Sequence, residues 1–354
     1  MTWPWCWPRW SARSWRIRNC GAGSSAAGVI SRWLNHEGVN VKVVAVTGAT
    51  GFVGRHLVAA LARAGWQVRL LMRRDPVVAE WRDAQPQIVA GDLRDAAALE
   101  ALVEGVDRVV HVAGLIKAAR RESFFSVNTG GSVKLAEALQ RRAPDAQLLH
   151  VSTLAAREPQ LSDYAASKRA GEDAVRRILG ARATVIRPPA VYGPGDPESL
   201  LFFKLARGSS VPLAGPPAAR AALIHVADLV SLMVMMLESP DGGVWSAADE
   251  RPAGYTWREV FTAAAAAVGN PDAKLYDAPL PLLRAIALAG DVGKLLGSAN
   301  MLNSLKLREL RHTDWSVPVA QWARPAGWSP TFDLARGFAD AVAWYREAGW
   351  LPRP

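Results

Sequence analysis

The sequence predicts an α/β fold: a doubly wound parallel sheet with a smaller C-terminal lobe built onto it. Three observations carry that expectation. A glycine-rich turn, "VKVVAVTGATGFVG" (41–54), joins a short apolar run to a helical one. Between residues 41 and about 190, short β-branched runs alternate with amphipathic helical segments, as in parallel sheets covered by helices on both faces. The segment "YAASK" (164–168) then places a tyrosine and a lysine four residues apart, on one face of a predicted helix.

Each element follows from its residues. "VKVVAVTG" (41–48) reads as a buried parallel strand ending in glycine. "GRHLVAALARAGW" (54–66) has helical spacing and stops at Gly65. "QVRLLMR" (67–73) and "PQIVAGDL" (86–93) are the second and third strands. Asp95 is placed to cap the helix "DAAALEALVEGV" (95–106). "DRVVHVAG" (107–114) is a fourth strand, and the helix "VNTGGSVKLAEALQRRA" (127–143) is expected to begin around Asn128. "QLLHVST" (147–153) is the fifth strand, "YAASKRAGEDAVRRIL" (164–179) a helix, and "ATVIRPPAV" (183–191) a sixth strand. The tail "FDLARGFADAVAWYREAGWL" (332–351) puts Leu334, Phe338, Val342 and Tyr345 on one helix face, which is expected to dock onto the body.

Composition narrows the class. The net charge is +10, but basic and acidic residues are interspersed and no basic-aromatic module marks a nucleic-acid binder. No run of eighteen apolar residues predicts a transmembrane helix. The most apolar late stretch, "PLPLLRAIALAGDVGKLLG" (279–297), is broken by Arg284, Asp291 and Lys294. It reads as amphipathic, packed in the core or the C-terminal lobe, with contact at a membrane surface as the alternative. Cys6 and Cys20 are the only cysteines, so the body after residue 20 has no disulfide and no cysteine metal site, and a cytoplasmic setting fits. The histidines show no ligand-like spacing, and no metal is expected. Residues 1–40 hold six of fifteen tryptophans and follow neither a helical nor a strand period. They are expected to lie outside the fold, either disordered or an over-extended start before Val41.

The chemistry is carried by a few positions. Gly48, Gly51 and Gly54 are spaced to allow a tight turn, close approach of a pyrophosphate and close helix packing, with the positive end of the next helix aimed at the phosphates. An acidic residue at the end of the second strand would select NAD. Here Met72 stands in that place, followed by Arg73 and Arg74, and a guanidinium favours the extra phosphate of NADP. NAD stays open because Asp75 could reach a ribose. Asp92, followed by Leu93, ends the third strand and could take a hydrogen bond from an adenine amino group or cap its loop. Ala113 and Gly114 are small enough for backbone to run beside a cofactor. Asn128 suits a polar brace under the site, or a plain helix cap. Tyrosine has a pKa near 10. A neighbouring Lys168 ammonium is expected to lower that of Tyr164 and make it a general acid/base, with the Thr153 hydroxyl holding the substrate oxygen.

With "TGATGFVG", "GDLRD", "VVHVAG", "VST", "YAASK", "RPPAVYGPGD" (187–196) and "IHVADL" (224–229) in order, the chain resembles the extended short-chain dehydrogenase/reductase family, the NAD(P)-dependent epimerase/dehydratase group. The resemblance implies a Rossmann domain over 41–190 and a substrate lobe over 191–354, interleaved with elements that return to the sheet. It makes Gly48, Gly51, Phe52 and Val53 the pyrophosphate turn. Thr153, Tyr164 and Lys168 become the catalytic set, Asn128 the asparagine near the site, and Pro188 to Val191 the stretch against the nicotinamide. His225 is then structural. A homodimer through the helices after strands four and five is a further implication. Leu154 and Ala155 stand where dehydratases of the group carry Asp-Glu, and Ala221-Ala222-Leu223 where sugar-nucleotide epimerases carry an Arg-Asp-aromatic run. The reductase branch, similar to dihydroflavonol reductases and 3β-hydroxysteroid dehydrogenases, fits better. An apolar ketone or alcohol would suit the Leu- and Ala-rich stretch 275–302, which simple packing explains equally well. A redox-neutral nucleotide-sugar epimerase and a non-catalytic NADPH-binding subunit are the alternatives.

Overall fold

The computed structural model describes residues 41–74, 78, 81, 84–295 and 303–353. The expectations for residues 1–40, for Asp75 and for the 296–302 end of the apolar stretch fall outside them. The first half runs β1 (Val43–Thr47), α1 (Phe52–Arg63), β2 (Gln67–Met72), β3 (Gln87–Ala90), α2 (Ala96–Val103) and β4 (Arg108–His111). It continues through α3 (Arg121–Phe124), a π-helical stretch (Phe125–Gly131), α4 (Ser132–Arg142), β5 (Gln147–Val151), α5 (Asp163–Leu179) and β6 (Ala183–Arg187). The second half holds β7 (Ala190–Tyr192), α6 (Leu200–Ala206), β8 (Ser210–Leu213), β9 (Arg220–Ala221), β10 (Leu223–His225), α7 (Val226–Glu238) and β11 (Gly243–Ser246). After these come β12 (Tyr255–Thr256), α8 (Trp257–Val268), β13 (Lys274–Asp277), α9 (Leu280–Leu295), α10 (Ser304–Arg311), β14 (Asp314–Trp315) and α11 (Leu334–Glu347).

Seven strands form one parallel sheet in the order β11-β6-β5-β4-β1-β2-β3. The order reverses at β1, between β2 and β4, which opens a crevice at the carboxyl ends of the strands. Alternation along β1 divides the core. Val44 and Val46 join the layer that includes α1 and α7, whereas Ala45 joins the layer of α2, α4 and α5. β11 pairs with β6, so a strand from beyond residue 190 completes the sheet's edge.

Three predicted elements differ in extent. The sixth strand divides in two because Pro188 and Pro189 lack the N–H a ladder needs. β6 stays in the large sheet, and β7 pairs instead with β10. The third strand stops at Ala90, where Gly91 takes φ +154°. The helix expected to begin near Asn128 starts earlier, at Arg121, and Asn128 lies inside its π-helical stretch.

The lobe packs α6, α8 and α11 around Phe203, Val260, Phe338 and Tyr345. The apolar face predicted for the tail helix is buried there, and the Tyr345 hydroxyl donates to the Asp196 carbonyl at 2.6 Å. α9 is less covered than its sequence suggested. Leu283 and Ala287 pack against Leu307 of α10, but Leu282, Ile286 and Leu288 face outward. Among the described residues no helix is long and apolar enough to cross a membrane.

One buried ion pair ties α5 to the end of β6: Arg187 Nε and Nη2 donate to the two carboxylate oxygens of Glu172 at 2.9 and 2.5 Å. Both side chains are buried. Arg187→Met would leave that carboxylate unpaired and is expected to cost about 3–5 kcal/mol in urea denaturation, with much of the loss recovered in Arg187→Met/Glu172→Leu. A loss below about 1 kcal/mol would mean that water reaches the carboxylate.

Candidate active site

The glycine turn sits between β1 and α1. Gly48 has φ +77°, and a Cβ there would lie 2.4 Å from the Ala113 backbone nitrogen. A Cβ at Gly54 would lie 2.1 Å from the Gly48 carbonyl oxygen, so only hydrogen lets α1 start this close to β1. Gly51 is the N-cap of α1, with no side-chain cap and no acidic residue in the first turn. Phe52 and Val53 anchor that turn by packing onto the core. An uncapped helix N-terminus at the sheet's switch point fits a dinucleotide pyrophosphate.

Beside it, the ends of β2 and β3 form an open depression lined by Arg73, Gly91, Asp92, Arg94 and Asp95. Asp92 is not a loose acceptor. Its oxygens receive Arg94 N at 2.8 Å and Nη2 at 2.6 Å, and these bonds hold the carboxyl down to about 2. Capping of α2 falls to Asp95, which accepts from Ala98 N at 3.0 Å. The bond from Arg94 N is the loop-capping contact expected of Asp92, whereas the adenine role would fall to a carboxylate already engaged by its neighbour. Leu93 packs toward Gly131, where a Cβ would stand 2.7 Å from its Cδ1.

The ends of β4 and β5 lie against the π-helical stretch and α5. The Asn128 amide is fully used: Oδ1 accepts from Leu115 N at 2.7 Å, and Nδ2 donates to the Leu115 carbonyl at 3.0 Å and to Ser167 Oγ at 2.9 Å. It is a brace within the π-helical stretch, not a helix cap. Gly114 lies close by, since a Cβ there would sit 3.1 Å from Asn128 Oδ1 and 3.6 Å from Lys168 Nζ. Lys168 is buried and donates to the Val151 carbonyl at 2.7 Å. Ser162 caps the start of α5, its Oγ accepting from Ala165 N at 3.1 Å. Thr153 leaves β5 where Leu154 N bonds the Pro188 carbonyl at 2.7 Å, which fixes the loop that carries its hydroxyl. Val191 sits in β7 opposite Ile224 and packs onto the core.

The electrostatics differ from the expectation in one respect. Burial pushes the Tyr164 phenol up to about 12, and the hydrogen bond with Thr153 opposes it. The lowering expected of Lys168 does not prevail, because its ammonium is aimed at the Val151 carbonyl and is itself pushed down to about 8 by burial, with Glu172 resisting.

Several residues of this region were missed. His111 bonds Thr47 Oγ1 at 2.6 Å and Ser132 Oγ at 2.9 Å, and Ser132 donates to the Asn128 carbonyl at 2.7 Å. This chain links the strand before the glycine turn to the Asn128 brace. His150 pairs with His111 in register, their rings 5.2 Å apart, and neither of its ring nitrogens has a hydrogen-bond partner. Burial and the Lys168 charge hold both imidazoles neutral. The signal was present as a lone histidine in each of two apolar strands. His225, read as structural, caps α7 through Ala227 N at 3.3 Å and stacks on Phe332 at 3.9 Å.

A switch-point crevice with an uncapped glycine turn on one side and Thr153, Tyr164 and Lys168 on the other defines an NAD(P)-dependent enzyme of the short-chain dehydrogenase/reductase type. The chain belongs to the NAD dependent epimerase/dehydratase family, which matches residues 44–248. It is 47% identical over 312 residues to the ceramide reductase of Caulobacter vibrioides, covering 88% of this chain and 96% of that one. It is 28% identical over 340 residues to sterol demethylase protein B of Methylococcus capsulatus, covering 86% and 99%. Among solved structures, gox2253 superposes with a TM-score of 0.69 at 21% identity, over 87% of this chain and 99% of that one.

Burial of Lys168 has a pH signature. Its pKa falls from 10.5 to about 8, so between those values the unfolded chain holds a proton the folded chain has lost, and stability rises with pH across that window. Tyr164 acts in the opposite sense only above about pH 10, where unfolded tyrosine titrates. Urea midpoints compared between pH 8 and pH 10 should rise more for the native chain than for Lys168→Met. Equal slopes would place the ammonium in water.

Proposed function

We propose that this chain is an NADP(H)-dependent reductase of an apolar carbonyl, with a ceramide-class lipid as its substrate. The observation that carries the substrate class is the 47% identity, over nearly the full length of both chains, to a protein named ceramide reductase. The site supports the reaction type.

Bound nicotinamide supplies the hydride to the carbonyl carbon, or accepts it in the reverse direction. The chain's own residues do the rest. Gly48, Gly51, Phe52, Val53 and Gly54 seat the pyrophosphate at the start of α1, and Gly114 leaves room beside Lys168. Arg73, exposed at the rim of the depression it shares with Arg94, faces the adenosine ribose phosphate that distinguishes NADP from NAD. The Thr153 hydroxyl donates to the substrate oxygen. Tyr164 delivers the proton that turns the developing alkoxide into an alcohol, and Lys168 stabilises the phenolate left behind. Asn128 holds the backbone of Leu115 and the Ser167 side chain around them. The cysteine-free body suits a cytoplasmic reaction. Two copies would meet through α4 and α5.

Sugar-nucleotide epimerisation is the competing reading. Against it, Ala221, Ala222 and Leu223 are buried, and none of them offers a polar group to a nucleotide.

Two substitutions test the reading. Arg73→Asp should reduce the preference for NADPH over NADH by about tenfold or more, the loss of one charge-assisted hydrogen bond. Tyr164→Phe should lower kcat for ketone reduction by about 10²–10⁴ while NADPH binding, followed by fluorescence titration, is retained. Tighter binding of NADH by the native chain, or turnover of a sugar nucleotide with no ketone reduced, would overturn the reading.

A further inference from the structure

α9 inverts the usual pattern of a surface helix. At about 100° per residue, Leu283, Ala287 and Gly290 form one face, and all three are buried. The remaining arc runs from Arg284 on one flank to Ile286 on the other, and between them Pro281, Leu282, Ala285, Leu288 and Ala289 are all exposed and none is polar. Leu282, Ile286 and Leu288 are 54%, 46% and 63% exposed. A helix facing water places charged residues there. Here Arg284 stands only at the edge of the arc.

The neighbouring helix has the complementary character. α10 packs on α9 through Leu307, and its sequence "SLKLRELR" exposes Lys306 and Arg308 and ends at Arg311. Its single acid, Glu309, is bonded to Ser162 and to Lys306 Nζ, the latter at 2.9 Å. An apolar face beside a cationic helix matches acyl chains beneath anionic headgroups. A second copy of this chain is a poorer occupant. A two-fold contact would set the patch against itself and offer the α10 cations no free acid from the same helix pair, since Glu309 and Asp291 are both already bonded.

We propose that the α9–α10 pair docks the enzyme on the surface of an anionic lipid bilayer. The contact also lies close to the chemistry. Glu309 of α10 bonds Ser162, the N-cap of the helix that begins at Asp163 and carries Tyr164. The inference rests on the carbonyl-reductase reading only for its purpose, which is delivery of a lipid substrate that does not dissolve in water.

Flotation of the full chain with vesicles separates the possibilities. The native protein should float with phosphatidylcholine–phosphatidylglycerol vesicles, weakly with phosphatidylcholine alone, and less at high salt. Leu282→Ser/Ile286→Ser/Leu288→Ser should weaken flotation by at least about tenfold, since three apolar side chains no longer enter the bilayer. Its melting temperature and its reduction of a water-soluble short-chain ketone should be unchanged. Arg308→Glu should weaken binding to the anionic vesicles alone. The proposal is overturned if the native chain floats with neither vesicle, if the triple variant floats as well as the native chain, or if that variant instead converts a dimer to a monomer in size-exclusion chromatography. Ketone reduction without flotation would remove docking and leave the reductase reading standing. Flotation without reduction of any ketone would do the reverse.

Discussion

Lys168 puts a positive charge where water has little access, and much of the surrounding architecture can be understood as accommodation of that charge. Its Nζ is held by the Val151 carbonyl at the carboxyl end of β5. One turn further along α5, Glu172 supplies a compensating negative charge, and Arg187 holds that carboxylate in turn through two hydrogen bonds. The two strands that run beneath it carry imidazoles, His111 and His150, which stay neutral because burial and the neighbouring ammonium both oppose a second cation. Gly114 lacks the Cβ that would press on Asn128 Oδ1 next to the ammonium. A buried charge in such a setting is costly. Its retention here fits the proposed reaction, in which the cation serves the Tyr164 phenol and the nicotinamide ribose.

The sheet order supplies the other half of the design. Because β1 lies at the reversal, the glycine turn and the tips of β4 and β5 open on the same crevice. The uncapped start of α1 lies on one side and α5 on the other. The chain His111–Ser132–Asn128 ties them together through side-chain hydrogen bonds, running from Thr47, just before Gly48, to the π-helical stretch that carries the brace. π-helical turns are frequent at functional sites because the extra residue per turn redirects a side chain. Here it directs the Asn128 amide into the Leu115 backbone and the Ser167 hydroxyl.

The parallel sheet, its helices and the placement of Tyr164 and Lys168 one turn apart on α5 were legible in sequence because each rests on local signals: β-branched runs, a spaced set of glycines, and a helical period. What was not legible depends on contacts between distant segments. The engagement of Asp92 by Arg94 was hidden because a pair two residues apart in a loop has no characteristic period. The π-helical register at Asn128 was hidden because "RESFFS" gives no apolar face to mark an earlier helix start. The high pKa of Tyr164 follows from burial, a tertiary quantity, so an argument from the neighbouring lysine alone reached the wrong sign. The outward face of α9 was misjudged for the same reason. Its apolar content is plain in sequence, but which side is covered depends on α10.

The reaction proposed for this crevice passes hydride from NADPH to a lipid carbonyl. It is tested most directly by incubating the native chain with NADPH deuterated at the transferable position and a ceramide-type ketone, then weighing the product by mass spectrometry. A single deuterium on the new alcohol carbon, delivered from one face of the nicotinamide and absent with Tyr164→Phe, is the predicted result. An unlabelled lipid recovered alongside unconsumed NADPH, while a sugar nucleotide is epimerised under the same conditions, would contradict the account.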